Sequence, residues 1–224
     1  MTAWLILGAS GHGRSLASII RGRGERVAGV CDAAAGGRAP EGFGSADGSL
    51  PQVFTDDAEA LAWAGAAGVS IAIGIGDNRV RAAVAEKILA DAGLRRLAAP
   101  LVAGSATVDA TARLGALAQV AEHAHVGPLA SIGEAAIVNT GAIVEHDAVV
   151  GRAAHIAPKA AVLGAGSVGE LVLMGSGACV LPGVSVGDRA VLGAAAVAAR
   201  DLDAVATYVG VPARRLDTTK GRSQ

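Results

Sequence analysis

The feature that most constrains the fold is an aliphatic residue at every sixth position from Val108 to Leu192, fifteen times in succession. Two positions before each of them stands a small or slim side chain, which is alanine in twelve of the fifteen cases. A period of six fits neither an amphipathic helix nor an open strand, but it fits one short strand and one tight turn per six residues. The repeat therefore predicts a parallel β-helix of triangular section, with eighteen residues in each coil.

The dimensions of this β-helix follow from the repeat. Fifteen units give five coils, and strands about 4.8 Å apart make a prism roughly 24 Å long. Such a narrow interior has no room for rings, which agrees with an aromatic content of 2%. Glycine follows the aliphatic residue at eight positions, where we expect it to allow unusual dihedrals at the corners: Gly115, Gly127, Gly133, Gly151, Gly169, Gly175, Gly187 and Gly193.

Composition limits the partners and the compartment. A chain of 224 residues with 52% hydrophobic residues can form two modest domains with a buried core. A net charge of −1 and the lack of a Lys/Arg run argue against a nucleic-acid partner. Cys31 and Cys179 are too few for a disulfide framework or a metal knuckle. The sequence predicts neither a signal peptide nor a membrane span, so we expect a cytoplasmic protein.

The segment before the repeat alternates strand and helix patterns, which is typical of a small parallel sheet. The patterns predict strands at residues 3–7, 26–31 and 69–73, helices at 15–21, 55–63 and 78–92, a loop at 33–51, and a further strand or a linker at 94–101. The predicted organisation is an α/β Rossmann-like domain at residues 1–102, a β-helix at 103–200 and a C-terminal extension at 201–224. The polar residues 218–224 are expected to fray.

The first candidate site is the glycine-rich turn Gly8-x-x-Gly11-x-Gly13 between the first strand and the first helix. Backbone N–H groups at a helix N-terminus can bind a phosphate, and Asp32 at the end of the second strand can accept a hydrogen bond from a ribose or base. A turn that binds nothing and a nicotinamide dinucleotide enzyme remain alternatives. The roughly 100 residues before the repeat make only half of a dinucleotide domain, so a mononucleotide diphosphate fits better.

The second candidate site is the pair His146-Asp147 within the repeat. A histidine beside a carboxylate can act as a general base that its neighbour orients, although a surface histidine on a solvated turn is the alternative. Gly164 follows His146 by eighteen residues, one full coil, so its N–H can face the same cleft as an oxyanion donor. His155 lies half a coil from His146, so within one subunit we expect it on a different part of the triangle, although the two could still meet across a subunit interface.

The repeat, the loop ILGASGHGR, the segment VNTGAIVEHDAVVGRAAHIAP and the terminal VGVPAR together resemble sugar acyltransferases of the NeuD/PglD type over nearly the whole chain. The resemblance implies a left-handed β-helix and a homotrimer with acetyl-CoA bound in clefts between neighbouring prisms. It also implies that the N-terminal domain holds a UDP-, GDP- or dTDP-linked amino sugar, and that no metal is needed. The implied reaction is N-acetylation of a 4-amino-6-deoxy sugar by direct attack of its amine on the thioester.

The resemblance also implies a role for individual residues. The general base is His146, which Asp147 orients. The residues implied at acetyl-CoA are Asn139, His155, Gly164 and, at a CoA phosphate, Arg214. The residues implied at the acceptor are Ser10, Gly11 and His12 at the diphosphate and sugar, Asp32 at the base or ribose, and Arg79 at the border of the sugar pocket. Two acidic residues often end the second strand in this family, whereas alanines follow Asp32, so base selectivity stays open. The Asp77-Asn78-Arg79 segment reads equally well as a helix cap.

Three other functions compete with this one. A sialic-acid type O-acetyltransferase would use the same base, and the motifs do not separate hydroxyl from amine acceptors. A nonenzymatic scaffold would keep the repeat but not the His-Asp pair. A zinc carbonic anhydrase of this fold would hold its metal with three histidines across a trimer interface, but the His-x4-His pair of that family is missing. His123 and His125 are expected to be exposed and are assigned no role.

Overall fold

The N-terminal part of the protein is a small Rossmann-like domain. The computed structural model of the chain describes residues 2–34 and 36–216. Its first elements are β1 (Ala3–Leu7), α1 (Gly11–Gly22), β2 (Arg26–Cys31), β3 (Gln52–Phe54), α2 (Asp57–Ala67), β4 (Ser70–Ile73), α3 (Asn78–Ala90) and α4 (Ala92–Arg95). The four strands form a parallel sheet in the order β3-β2-β1-β4. No helix in the described residues is long and apolar enough to cross a membrane.

Aspartates at the helix starts explain two of the differences from the predicted boundaries. α2 begins at Asp57 rather than at residue 55, because the carboxylate of Asp56 accepts the N–H of Glu59 at 2.9 Å. Asp91 ends α3 two residues early and caps α4 through the N–H of Gly93, at 2.7 Å. The sequence pattern missed both α4 and β3, which are four and three residues long. Elements this short carry too little periodicity to be recognised.

The rest of the described chain forms a left-handed parallel β-helix in which each coil has three short strands. Face 1 contains β5 (Leu101–Val102), β8 (Gln119–Val120), β11 (Ile137–Val138), β14 (His155–Ile156), β17 (Leu173–Met174), β20 (Val191–Leu192), β22 (Thr207–Val209) and β23 (Arg214–Arg215). Face 2 contains β6 (Thr107–Val108), β9 (His125–Val126), β12 (Ile143–Val144), β15 (Ala161–Val162), β18 (Cys179–Val180) and β21 (Val197–Ala198). Face 3 contains β7 (Arg113–Leu114), β10 (Ser131–Ile132), β13 (Val149–Val150), β16 (Ser167–Val168) and β19 (Ser185–Val186).

The repeat residues point into the prism and stack one coil above another. The aliphatic residues and the small residues two positions earlier form one continuous buried cluster. Strands pair in a register of eighteen, so that Ile137 lies between Gln119 and His155. The β-helix is longer than the predicted five coils, because β5 and β21 extend it at either end. Tyr208 enters the core of the last coil, where the narrow prism ends, so the expectation of a ring-free interior fails there.

The first solenoid strand, β5, lies just before the predicted boundary at residue 103. The division into 1–102, 103–200 and 201–224 remains a prediction, and residues 217–224 of the extension lie outside the described residues. The predicted fraying at 218–224 is therefore not described either.

The glycines after the aliphatic residues are required for a different reason from the predicted unusual dihedrals. None of the eight has a positive φ; a Cβ on Gly133, for example, would lie 2.6 Å from the backbone nitrogen of Arg152 in the next coil. The left-handed backbone instead occurs three residues after the aliphatic position, as at Ala135 (φ 53°) and Ala153 (φ 49°). There the N–H of Ala153 bonds to the carbonyl of Glu134 at 2.8 Å. Close approach of coils, rather than unusual dihedrals, therefore requires glycine at these positions.

Candidate active site

The glycine-rich turn brings the start of α1 tightly against the sheet. A Cβ on Gly13 would overlap the carbonyl oxygen of Gly8, and a Cβ on Gly74 would lie 2.8 Å from the Cα of Gly13. Ser10 precedes the helix but makes no side-chain cap, because its hydroxyl donates to the carbonyl of Gly74 at 3.2 Å. The first N–H groups of α1 are therefore not taken up by a side-chain cap, and such groups bind anions.

Asp32 lies beside this turn, as predicted, and holds it in shape. Its Oδ2 accepts the N–H of Ala9 at 2.8 Å, and its Oδ1 accepts the N–H of Ala34 at 2.9 Å. A pocket of about 350 Å³ opens here, lined by Ala9, Ser10, Asp32, Ala34, Arg38, Ala39 and Pro40. Arg38 and Asp32 contribute one positive and one negative side chain to its lining. We call this opening the loop pocket.

A second group of polar residues joins α1 to face 1 of the β-helix. Nε2 of His12 lies 2.7 Å from Oε1 of Gln119, and Nε2 of Gln119 donates to the carbonyl of Ile73 at 2.7 Å. The ring of His155 is 6.5 Å from that of His12, centroid to centroid, and its Nε2 lies 3.0 Å from Nδ2 of Asn139. We call His12, Gln119, Asn139 and His155 the histidine cluster. Three of its four members were predicted as site residues.

Both histidines of the cluster are neutral at pH 7. Burial lowers the pKa of His12, which the hydrogen bond to Gln119 partly opposes and the charge of Arg81 reinforces. Burial, followed by the charges of Arg81 and His12, lowers the pKa of His155 to about 4. Neutral imidazoles can each offer one donor and one acceptor nitrogen.

Arg81 is a fully buried charge that the sequence analysis missed. Its guanidinium donates to the carbonyls of Ala135 at 2.8 Å and Ala153 at 2.9 Å on the β-helix. It also donates to Gly76 and to the side chain of Asn78, both at 2.8 Å. Burial lowers the pKa of Arg81 to about 10, so it remains protonated at pH 7. This network fixes the start of α3 to the solenoid.

His146 and Asp147 form a hydrogen-bonded pair at the corner between β12 and β13. Nδ1 of His146 lies 2.9 Å from Oδ2 of Asp147, and the imidazole side chain is 61% exposed. A Cβ on Gly164 would lie 2.6 Å from Nε2 of His146. The eighteen-residue spacing therefore places Gly164 directly against Nε2, and a larger residue at position 164 would displace the imidazole. We call His146, Asp147 and Gly164 the corner site.

The corner site and the histidine cluster lie on different parts of the triangle. His155 belongs to face 1, whereas His146 stands between faces 2 and 3. Within the described residues, no hydrogen bond or ring contact joins the two groups. A single subunit therefore does not bring all of the predicted residues together.

The remaining predicted residues lie apart from both groups. Arg79 is exposed on α3, and Asp77 caps that helix by accepting the N–H groups of Arg79 and Val80, each at 2.9 Å. The helix-cap alternative is thus realised at Asp77. Arg214 is exposed on β23 and donates to the carbonyl of Ala213 at 3.0 Å. Contacts of Arg79 and Arg214 with ligands remain predictions.

Two residues of the site had signals in the sequence that were not used. Gln119 precedes His155 by thirty-six residues, two coils, so the register places both on face 1. Arg81 occupies the same helical face as the buried Ala85 and Ile88, where a charge is unexpected. Among residues 2–34 and 36–216, no three His, Cys, Asp or Glu side chains are grouped as a metal site requires.

A Rossmann-like domain followed by a left-handed β-helix is the domain combination of the left-handed β-helix acyltransferases. Comparison with known proteins agrees with this class. A family profile described as "PglD N-terminal domain" matches residues 4–88. GDP-perosamine N-acetyltransferase from Caulobacter crescentus, solved as a histidine mutant with CoA and GDP-perosamine, is 34% identical with a TM-score of 0.84; the match covers 97% of this chain and 98% of that chain. The chain therefore belongs to the NeuD/PglD-like sugar acyltransferase family.

Two other solved structures match over similar lengths. The acetyltransferase domain of PglB from Neisseria gonorrhoeae, in complex with acetyl-CoA, is 28% identical with a TM-score of 0.81, over 96% of this chain and 98% of that chain. WeeI from Acinetobacter baumannii is 19% identical with a TM-score of 0.77, over 96% and 100%, and shows the fold alone. No curated protein matches the chain. The predicted family and the left-handed β-helix are thus confirmed.

Proposed function

We propose that the protein transfers the acetyl group of acetyl-CoA to the amino group of a nucleotide-linked 4-amino-6-deoxy sugar. The observation that carries this proposal is the 2.9 Å hydrogen bond between Nδ1 of His146 and Asp147, with Nε2 held beside Gly164. A carboxylate at Nδ1 keeps the proton on that nitrogen, so Nε2 is the free base.

The corner site can support each step of acyl transfer. The amine attacks the thioester carbon, and Nε2 of His146 accepts the proton that the amine loses. The N–H of Gly164 stabilises the negative oxygen of the tetrahedral intermediate. The intermediate then expels the CoA thiolate, which takes the proton from the imidazolium. Asn139, His155 and Arg214 would contact acetyl-CoA.

The N-terminal domain would hold the acceptor. The loop pocket offers the free N–H groups of α1 to a diphosphate, with Ser10 and Gly11 at the turn and Asp32 at the ribose or base. His12 and Arg79 would border the sugar. The Caulobacter crescentus relative, solved with both CoA and GDP-perosamine, supports this pairing of substrates.

The complete site would lie between subunits of a homotrimer. The corner site is exposed and separate from the histidine cluster in one chain. A neighbouring subunit would therefore bring its histidine cluster and bound sugar to His146. Some apolar side chains on the solenoid faces are exposed, including Ile143 (38% exposed) and Val149 (48% exposed), and such an assembly would bury them.

The direct test is thiol release from acetyl-CoA by the purified protein with UDP-, dTDP- and GDP-4-amino-6-deoxyhexoses and with free sialic acid. Release that depends on a nucleotide amino sugar is the expected result and names the acceptor. Release with the free sugar alone would show O-acetylation instead. Absence of release with all acceptors would contradict the proposal for this acyl donor.

His146→Ala is expected to lower kcat by about 10²- to 10⁴-fold, the usual contribution of a general base. The side chain is exposed, so assembly and the unfolding midpoint should stay unchanged. His123→Ala is the matched control, because His123 is an exposed corner histidine with the same left-handed backbone as Asp147. Unchanged kcat in His146→Ala would refute the assignment of the base.

A further inference from the structure

The amide of Gln119 has only one allowed orientation. Gln119 is 2% exposed, and one of its amide atoms lies 2.7 Å from the carbonyl oxygen of Ile73. A carbonyl oxygen only accepts hydrogen bonds, so the atom that faces it is the amide nitrogen. The amide oxygen of Gln119 therefore faces Nε2 of His12, at 2.7 Å.

This orientation determines which nitrogen of His12 carries the proton. Because the amide oxygen only accepts, Nε2 of His12 must be the donor. Burial and the charge of Arg81 lower the pKa of His12 against the opposing hydrogen bond of Gln119, so the ring remains neutral and has a single N–H. Nδ1 of His12 is therefore unprotonated and acts as an acceptor.

The unprotonated nitrogen is open to a ligand. No residue in the described part of the chain hydrogen-bonds to Nδ1 of His12, whereas every fully buried side-chain nitrogen or oxygen there has a partner. Nδ1 of His12 is therefore not fully buried, and it keeps an unused acceptor site for a ligand. His12 is the second residue of α1 and lies two positions after Ser10, which lines the loop pocket.

The other histidine of the cluster has the opposite tautomer. Oδ1 of Asn139 accepts the N–H of Thr140 at 2.8 Å, so the amide nitrogen of Asn139 faces Nε2 of His155 at 3.0 Å. Nε2 of His155 accepts this hydrogen bond, and its proton is on Nδ1. The cluster thus offers an acceptor nitrogen from one ring and a donor nitrogen from the other.

We propose that Gln119 is a positioning residue that holds His12 as the Nε2–H tautomer, so that Nδ1 accepts a hydrogen bond from an N–H or O–H of the acceptor sugar. The proposal rests on the proposed function for the identity of that ligand. An attacking amine must keep its lone pair for the thioester carbon. An acceptor nitrogen engages an N–H and leaves this lone pair free, whereas a donor nitrogen would compete for it.

The first measurement is the tautomer of His12 in the ¹⁵N-histidine-labelled wild-type protein, by long-range ¹H–¹⁵N correlation NMR. The chain has five histidines, and the His12 signals are assigned by their loss in His12→Ala. The expected spectrum shows a protonated Nε2 and an unprotonated Nδ1, whose resonance shifts when a nucleotide amino sugar is added. A proton on Nδ1, or an Nδ1 resonance that saturating sugar leaves unmoved, overturns the proposal.

The second measurement uses Gln119→Met, which keeps the size of the side chain and removes both amide contacts. His12 is expected to become a mixture of tautomers, and kcat/KM for the sugar to fall about tenfold, as for loss of one hydrogen bond. The KM for acetyl-CoA should not change. Gln52→Met is the matched control, because Gln52 is exposed on β3, away from the cluster. A wild-type tautomer, or an unchanged kcat/KM for the sugar, in Gln119→Met contradicts the role of Gln119.

The two proposals fail in different ways. A wild-type protein with the expected tautomer that acetylates no amino sugar contradicts the proposed function, while the change of tautomer in Gln119→Met still shows that Gln119 sets the state of His12. An active N-acetyltransferase with the proton on Nδ1 of His12 contradicts only the role of Gln119.

Discussion

The imidazole of His146 is confined on one side by a residue that has no side chain. Gly164 lies one coil away, and its Cα faces Nε2 so closely that a methyl group would be 2.6 Å from that nitrogen. Asp147 holds the other nitrogen and has the left-handed backbone of a corner, with φ at 59°. Two backbone features, a close approach and a left-handed corner, thus set the orientation of an exposed imidazole.

Gly164→Ala is therefore expected to displace the imidazole and reduce kcat by at least about tenfold, within the range that a positioned base contributes. The fold should persist, because His146 can rotate toward solvent. Gly104→Ala is a matched control on the first coil, since a Cβ there meets nothing within 4 Å. Equal kcat values for Gly164→Ala and Gly104→Ala would show that the contact between Gly164 and His146 does not affect the reaction.

His155 makes the stability of the fold depend on pH. Its pKa is about 4 in the folded protein and 6.5 ordinarily, so between these values the unfolded chain binds more protons. The contribution of neutral His155 to the free energy of unfolding is fully present above about pH 6.5 and is lost as pH falls toward 4. At pH 5 the free energy of unfolding is lower by roughly 2 kcal/mol. Urea unfolding at about pH 7.5 and pH 5 measures it. His155→Asn should reduce this difference, whereas the exposed control His123→Asn should not; an equal difference in all three proteins would contradict the neutral state of His155.

At the scale of elements, α3 attaches the sheet domain to the solenoid through polar contacts with corner carbonyls. Arg81 donates to Ala135 and Ala153, and Asn78 donates to Leu171 and Val172, each at 3.0 Å. The corner residues Ala135, Ala153 and Leu171 follow one another at the coil spacing and all have positive φ. The outward carbonyls of three successive coils thus provide the surface on which α3 lies.

Arg81→Met should destabilise the protein by about 3 kcal/mol or more, because several buried carbonyls lose their donor at about 1–3 kcal/mol per group. The thermal midpoint should fall by roughly 6–12 °C for a chain of this size. Lys87→Met, an exposed position on the same helix, is the control. A melting curve of Arg81→Met that overlays that of Lys87→Met would show that the network does not hold the two domains together.

The sequence predicted the solenoid more completely than the contacts between domains. The six-residue period gave the strand positions and the register from Val108 to Leu192, because burial repeats along the chain. Contacts such as those of Arg81 join residues 54 and 72 positions apart and have no period. His146 and Asp147 were predicted because they are adjacent in the sequence, and Gly164 because the coil period relates it to His146. Gln119 was missed because its partners, His12 and Ile73, belong to the other domain.

At the scale of the whole molecule, the proposed reaction would need the corner site of one subunit and the histidine cluster of another. Each chain carries one copy of both, on different parts of the triangle. In a ring of three, the corner site of each chain would meet the cluster of its neighbour, so three equivalent sites would form.

Mixed assemblies of two inactive variants test this arrangement. His146→Ala and His12→Ala are co-expressed with different tags and purified through both. Every mixed trimer then contains one interface with an intact His146 and an intact neighbouring His12, so about a third of the wild-type activity per trimer is expected. Assemblies of either variant alone are the controls. Mixed trimers no more active than these controls would contradict a site shared between neighbouring subunits.

The coil spacing also limits how the length of this chain can change. Gln119 and His155 share face 1 because whole coils separate them, and Arg81 with Asn78 contacts three successive coils at once. An insertion of six residues between Gln119 and His155 would move every later residue to the next face. His155 would then leave face 1, and the later coils would lose their contacts with Arg81 and Asn78. Loops can therefore grow outward at a corner, whereas within the solenoid only gains or losses of eighteen residues keep every later residue on its face.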